Sequence, residues 1–202
     1  MTNAKQGKLR IIACGAIARE IIAVCAANRL EHISLTCLPA ILHNHPDRIP
    51  GEIEREISEA RNDGFAEILV GYADCGTGGL LDRVCEKHGV RRLEGPHCYS
   101  FFTSNDAFAA QGDANMTSFF LTDFLARQFD AFITRPLGLD RHPELREMYF
   151  GNYEKLVYLA QTDDAELDRR AHSAAEKLNL TYERRFTGFG DLAAELERAV
   201  AR

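Results

Sequence analysis

The sequence has no surplus of positive charge. It carries 24 Lys and Arg against 30 Asp and Glu, a formal net charge of -6 over 202 residues, whereas a nucleic-acid surface ordinarily needs a basic face. No apolar run approaches the roughly 20 residues that span a bilayer, so no membrane partner is expected. The opening "MTNAKQGKLRIIACG" sets basic residues before an apolar stretch. Arg19 and Glu20 interrupt that stretch too early for an export signal, and it reads as the first strand of a cytoplasmic protein. There is no Cys-x-x-Cys pair, which excludes a zinc ribbon and a thioredoxin-like motif. The glycine-rich turn "CGTGG" lacks the lysine of a P-loop and the GxGxxG spacing of a dinucleotide fold. Internal repeats, low-complexity tracts and linkers are absent as well.

What is present is ordinary globular composition, 46% hydrophobic and 27% charged, which is enough to build a core, and a regular alternation of strand-like and helix-like segments. "KLRIIAC", "HISLTCL", "AEILVGY" and "VRRLEG" read as strands. "AIAREIIAVCAANRL", "PGEIEREISEARNDG" and "GLLDRVCEKHG" read as the helices between them, the second with Pro50 near its start and Gly64 closing it, the third stopped by Gly89. "HCYSFFTSNDAFAA" reads as helical. "MTSFFLTDFLARQFDAFI" is expected to run as a strand to about Thr122 and then as a helix. "RPLGLDRHPELREMYFGNYE" reads as a loop leading into a helix with Pro143 in its first turn. "KLVYLAQ" and "LTYERRF" close the strand set, each followed by an amphipathic helix. This predicts an α/β protein, three-layered, with a largely parallel sheet and helices on both faces. It is a single domain over residues 1–202, or two lobes meeting near residues 136–152.

In such a sheet, ligands collect at the carboxyl ends of the strands. Cys14 follows the first strand, Cys37 and the "LHNHP" loop with His43, Asn44 and His45 follow the second, Tyr72 and Cys75 the third, and His97 and Cys98 the fourth. Cys25 and Cys85 fall inside helical patterns and read as small core residues. Thiolates and imidazoles suit zinc and other borderline transition ions, so Cys14, Cys75 and Cys98 with His97 or His43 make a candidate metal set. Core packing of free thiols is the competing reading. Gly76, Thr77 and Gly78 open a predicted helix, where amide groups would cradle a phosphate or carboxylate; glycine for tight backbone geometry is the simpler alternative. Tyr72 and His43 are candidates for proton transfer, and Asn44, Arg135 and Arg141 for holding substrate, the arginines by pairing with a carboxylate.

The blocks "IIACGAI", "LPAILHNHPDRI", "ILVGYADCGTGGL" and "GPHCYSFF", followed by "FFLTDFLARQFD", "GLDRHPELREMYFGNY", "LVYLAQ" and "YERRFTGFGDL", resemble the successive blocks of domain-of-unknown-function family 1638. The likeness covers about residues 9 to 193. It brings no established activity. It implies company with corrinoid-dependent methyltransferases, hence a place in one-carbon metabolism, with a corrinoid protein or methyltransferase as partner and corrinoid as a second cofactor besides zinc. The positions that match recurrent polar residues of the family are Cys14, His43, Asn44, Tyr72, Cys75, Gly76, His97 and Cys98. Many relatives carry Asp where this chain has His97, which favours Cys98 over His97 as a ligand.

Three functions follow as expectations. The first is a metal-dependent enzyme acting on a small one-carbon or methylated substrate. The second is a non-catalytic accessory protein that binds metal or corrinoid. The third is a thiol enzyme with Cys75 as nucleophile at a helix N-terminus. A homo-oligomer is compatible with each.

Overall fold

Short, continuously buried strands dominate the first half of the chain. In the computed structural model, which describes residues 8–112 and 116–200, β1 (Leu9–Cys14) and β3 (Glu67–Gly71) are buried along nearly their whole length. Strands buried on both faces belong to a parallel sheet covered by helices. The basic opening, residues 1–7, lies outside the described residues. β1 runs through a 3₁₀ turn into α1 (Ala18–Ala27), then β2 (Ile33–Leu38), α2 (Ile49–Asn62), β3, α3 (Leu80–His88) and β4 (Arg91–Arg92). α2 turns Ile49, Ile53, Ile57 and Ala60 to the core at helical spacing, and α3 ends on Gly89 in the left-handed conformation.

The strand order is β2-β1-β3-β4, all parallel. The chain steps outward from β1 to β2 and then crosses back to β3 on the other side of β1. The order therefore reverses between β1 and β3, the place where open α/β sheets bind ligands. Gly71 is required there. A Cβ at this position would lie 2.7 Å from the Cβ of Ala13, its register partner on β1.

The remaining elements are α4 (Ser100–Thr103), α5 (Asn105–Ala110), β5 (Ser118–Thr122), α6 (Asp123–Phe129), α7 (Leu145–Phe150), β6 (Lys155–Ala160), α8 (Ala165–Leu178), β7 (Thr181–Phe186) and α9 (Gly190–Val200). β5, β6 and β7 form a second parallel sheet in that order. Its core includes Leu121, Phe129, Leu156, Tyr158, Leu167, Ala171 and Leu178. Asp123, fully buried, accepts hydrogen bonds from Tyr158 Oη at 2.7 Å, Gln161 N at 3.0 Å and Thr162 N at 3.2 Å, while Gln161 Oε1 accepts from Asp123 N at 2.7 Å. This closed network ties the carboxyl ends of β5 and β6 together. The chain divides into two compact units, residues 1–101 with 191–202, and residues 102–190. Positions 136–152 lie inside the second.

Two elements differ from the sequence expectation. The fourth strand shrinks to two residues, with Leu93 N still donating to Val70 O at 2.9 Å before Gly95-Pro96 turns the chain away. The helix expected over 97–110 is broken at Ser104, whose φ of +68° interrupts the helix and whose hydroxyl then caps α5 through Ala107 N at 3.2 Å.

Candidate metal centre

Each of the four strands of the first sheet delivers polar chemistry at its carboxyl end. Cys14 is the last residue of β1, buried to 1% exposure, and its Sγ accepts from Ala16 N at 3.4 Å. β2 ends at Leu38, and Pro39 starts a 3₁₀ turn over Ala40–Asn44 that carries His43 at the surface. Its Nδ1 lies 3.8 Å from Cys14 Sγ.

β3 delivers Tyr72 and then the turn holding Cys75. Cys75 has a φ of +50°, and Gly76, Gly78 and Gly79 are also left-handed. Such backbone costs on the order of 1–3 kcal/mol at a non-glycine residue and persists only where its surroundings fix it. Asp74 fixes it here. Its carboxylate accepts from Gly79 N at 2.9 Å, Gly76 N at 3.2 Å, Gly78 N at 3.3 Å and Thr77 Oγ1 at 2.9 Å. These donors, the Gly79 amide foremost, hold the Asp74 carboxyl below its usual range. The expected anion cradle of Gly76, Thr77 and Gly78 is thus filled by the protein's own carboxylate.

Cys98 comes from the segment after β4, and backbone bonds hold that segment against the Cys75 turn. Asp74 N donates to Gly95 O and Cys75 N to Pro96 O, both at 3.0 Å. Ser100 Oγ closes the next turn on His97 O at 2.7 Å. The result is two buried sulfurs, Cys75 Sγ and Cys98 Sγ, 3.3 Å apart. His43 completes the group. One ligand atom from each of His43, Cys75 and Cys98 lies within 4.8 Å of the other two.

The thiols and the imidazole of this group shift one another in opposite directions. Cys75 is brought down to about 5, first by the Cys98 thiol and, against the cost of burial, by His43. Cys98 is pushed well above the usual thiol range by Cys75 and by burial. His43 is raised to about 10 by Cys14 first and then Cys75. Tyr72 stands over the same cluster. It is fully buried, its Oη meets no nitrogen or oxygen partner and has the Cys14 thiol as a neighbour, and burial, followed by Cys14, Cys98 and Cys75, pushes it far above the ordinary phenol range.

The other expected positions are placed as follows. His97 is half-buried and stacks on Tyr99 with ring centroids 4.8 Å apart; burial lowers its pKa. Asn44 is exposed beside His43. Arg135 and Arg141 belong to the second unit, Arg141 on the surface 3.9 Å from Asp140. Cys85 is buried in α3 and raised to about 11 by burial, Cys25 is half-buried in α1, and Cys37 is exposed within β2. Asp74 follows the third strand in the sequence with no role assigned to it, although an Asp preceding glycines at +2, +4 and +5 is a local signal for a carboxylate that satisfies its own turn.

The donor set fits a metal. Two thiolates each about 2.3 Å from a tetrahedral zinc stand about 3.8 Å apart, a few tenths of an ångström beyond the present sulfur spacing. An exposed imidazole over two buried sulfurs also leaves one side of the group open to solvent.

Fold and site together define an α/β protein with a Cys/His group at the switch point of a parallel sheet. A family model, Protein of unknown function (DUF1638), matches residues 37–196, and the chain belongs to that family. No curated protein and no solved structure matches the chain.

Proposed function

We propose that this protein is a zinc-dependent enzyme acting on a small one-carbon or methylated substrate, with His43, Cys75 and Cys98 as the metal ligands. The observation that carries this reading is the meeting of those three ligand atoms within 4.8 Å from three separate strand ends. Three protein ligands leave one position free, the arrangement of catalytic rather than structural zinc. Zinc held there would lower the pKa of a bound thiol or water so that a nucleophile exists at neutral pH. The protein's own groups do the rest. The buried sulfurs keep the site dry on one side, the exposed imidazole lies where substrate enters, and the buried Tyr72 hydroxyl, beside Cys14, would orient a ligand sulfur or donate to a bound atom. Methyl transfer, and corrinoid as a companion cofactor, are the finer form of this reading and rest on the family resemblance.

A second reading has its own observation. Cys14 Sγ lies 3.8 Å from His43 Nδ1, and this third thiolate, as a fourth ligand, would close the site and make the protein a metal-binding accessory. A third reading, Cys75 as a catalytic nucleophile, draws on its lowered pKa.

Elemental analysis of protein purified without chelator separates them. One metal per chain, lost in Cys75→Ser and in His43→Ala, supports the metal readings. X-ray absorption that counts three protein ligands and one light atom favours the enzyme, and three sulfurs and one nitrogen favour the accessory. Absence of metal, with one thiol alkylated rapidly at neutral pH, leaves the thiol enzyme.

A further inference from the structure

The second unit carries a cavity that owes nothing to the cysteines. It has a volume of about 370 Å³ and is lined by Arg127, Asp130, Arg135, Arg170, Ser173 and Lys177 among others. We propose that it binds the phosphoryl group of a small phosphorylated molecule.

Two elements build it. α8 presents Arg170, Ser173, Ala174 and Lys177 at spacings of three, four and seven, which places all four on one helix face. The small Ser173 and Ala174 between the cations make the space. Opposite, α6 leaves helical geometry at Gln128, with φ -116° and ψ 19°, and continues as a π turn over Asp130–Thr134, closed by Arg135 N donating to Asp130 O at 3.0 Å. π turns are rare and recur mostly at functional sites. This one carries the chain past an ordinary helical turn and sets Arg135 on the wall of the same cavity as Arg127.

The charge of the lining is inverted relative to the chain. Four cations face one carboxylate in a protein whose net charge is -6. That carboxylate, Asp130, is held by Lys177 at 3.2 Å. Arg127 approaches Asp123 at 3.6 Å, but Asp123 already accepts from Tyr158, Gln161 and Thr162. Arg170 uses its Nε on Glu166 at 2.9 Å, which leaves the two terminal nitrogens of its fork. Arg135 lies near enough to Asp130 to help hold its carboxyl down, and shares that carboxylate with Lys177, which stands first among the causes. A dianion with three acceptor oxygens matches several converging guanidinium and ammonium groups better than a carboxylate with one charge and two oxygens.

Calorimetric titration of the full chain at about 0.15 M salt, where diffuse surface attraction is largely screened, tests this with pyrophosphate, inorganic phosphate and succinate as probes. Saturable pyrophosphate binding is expected, with inorganic phosphate weaker and succinate weakest. Affinity for pyrophosphate should fall at least tenfold in the double variant Arg135→Ala/Arg170→Ala. It should fall equally in Ser173→Glu, which puts a carboxylate into the cavity from an exposed helix position. Succinate binding as tightly as pyrophosphate would overturn the phosphoryl assignment. Absence of saturable binding by the natural chain, or binding unchanged in both variants, would overturn the site.

Discussion

At the scale of single residues, Tyr72 and the Cys75–His43 pair make the sharpest predictions. A buried hydroxyl whose polar neighbour is a weakly accepting thiol gains little from its hydrogen bond, so Tyr72→Phe should leave the fold intact and change stability to urea by no more than about 1 kcal/mol. An unchanged or increased midpoint with lost turnover would mark Tyr72 as a residue kept for chemistry; a marked loss of stability would show that the hydroxyl has a structural partner. In metal-free protein, the pH dependence follows from two opposed shifts. Cys75 drops from 9.0 to about 5, so its stabilisation is complete above 9.0 and gone once the pH falls through about 5. His43 rises from 6.5 to about 10, so its stabilisation is complete below 6.5 and lost as the pH rises through about 10. The melting temperature of chelator-treated protein should therefore plateau between 6.5 and 9.0 and decline on either side. His43→Ala should flatten the alkaline limb. Cysteines at strand ends were legible in the sequence because residue type and position in the alternation suffice. The choice of His43 over His97 for the compact group was not, since it depends on how the 3₁₀ turn after β2 aims an imidazole.

At the scale of elements, the turn between β3 and α3 governs the site. Asp74 is not one of the proposed ligands, yet it holds four donors that set the left-handed Cys75, Gly76, Gly78 and Gly79. Asp74→Ala should therefore lower metal content per chain nearly as far as a ligand substitution does, with the fold retained by circular dichroism. Asp74→Asn, which keeps one acceptor oxygen, should fall between. At the base of the same turn, Gly71→Ala would force a methyl to within 2.7 Å of Ala13 Cβ. Overpacking of this kind costs about 1–3 kcal/mol, to be read from denaturant unfolding. The glycine-rich loop was readable as a loop from composition alone. That its amides face inward to Asp74 was written locally but overshadowed by the resemblance of such loops to anion sites. The π turn after α6 left no periodic signature, because one extra residue in a single turn does not disturb the apolar spacing around it.

At the scale of the molecule, the alternation of elements predicted the α/β class and its parallel pairing, but not the division into one discontinuous and one continuous unit. Nothing in local pattern says that α9 belongs with residues 1–101 rather than with β7, its neighbour in sequence. Residues 102–190 contain no cysteine, have their own parallel sheet and buried core, and should fold alone. The excised fragment is expected to melt cooperatively, to retain pyrophosphate binding and to take up no thiolate-bound metal. α9, by contrast, buries Leu192 and Leu196 completely and joins the unit built from the first hundred residues. During synthesis, the unit that bears the cysteines begins to emerge first yet cannot be finished until α9, the last element of the second hundred residues, has been made. A released chain truncated after residue 190 would hold all of the second unit and an unfinished first one.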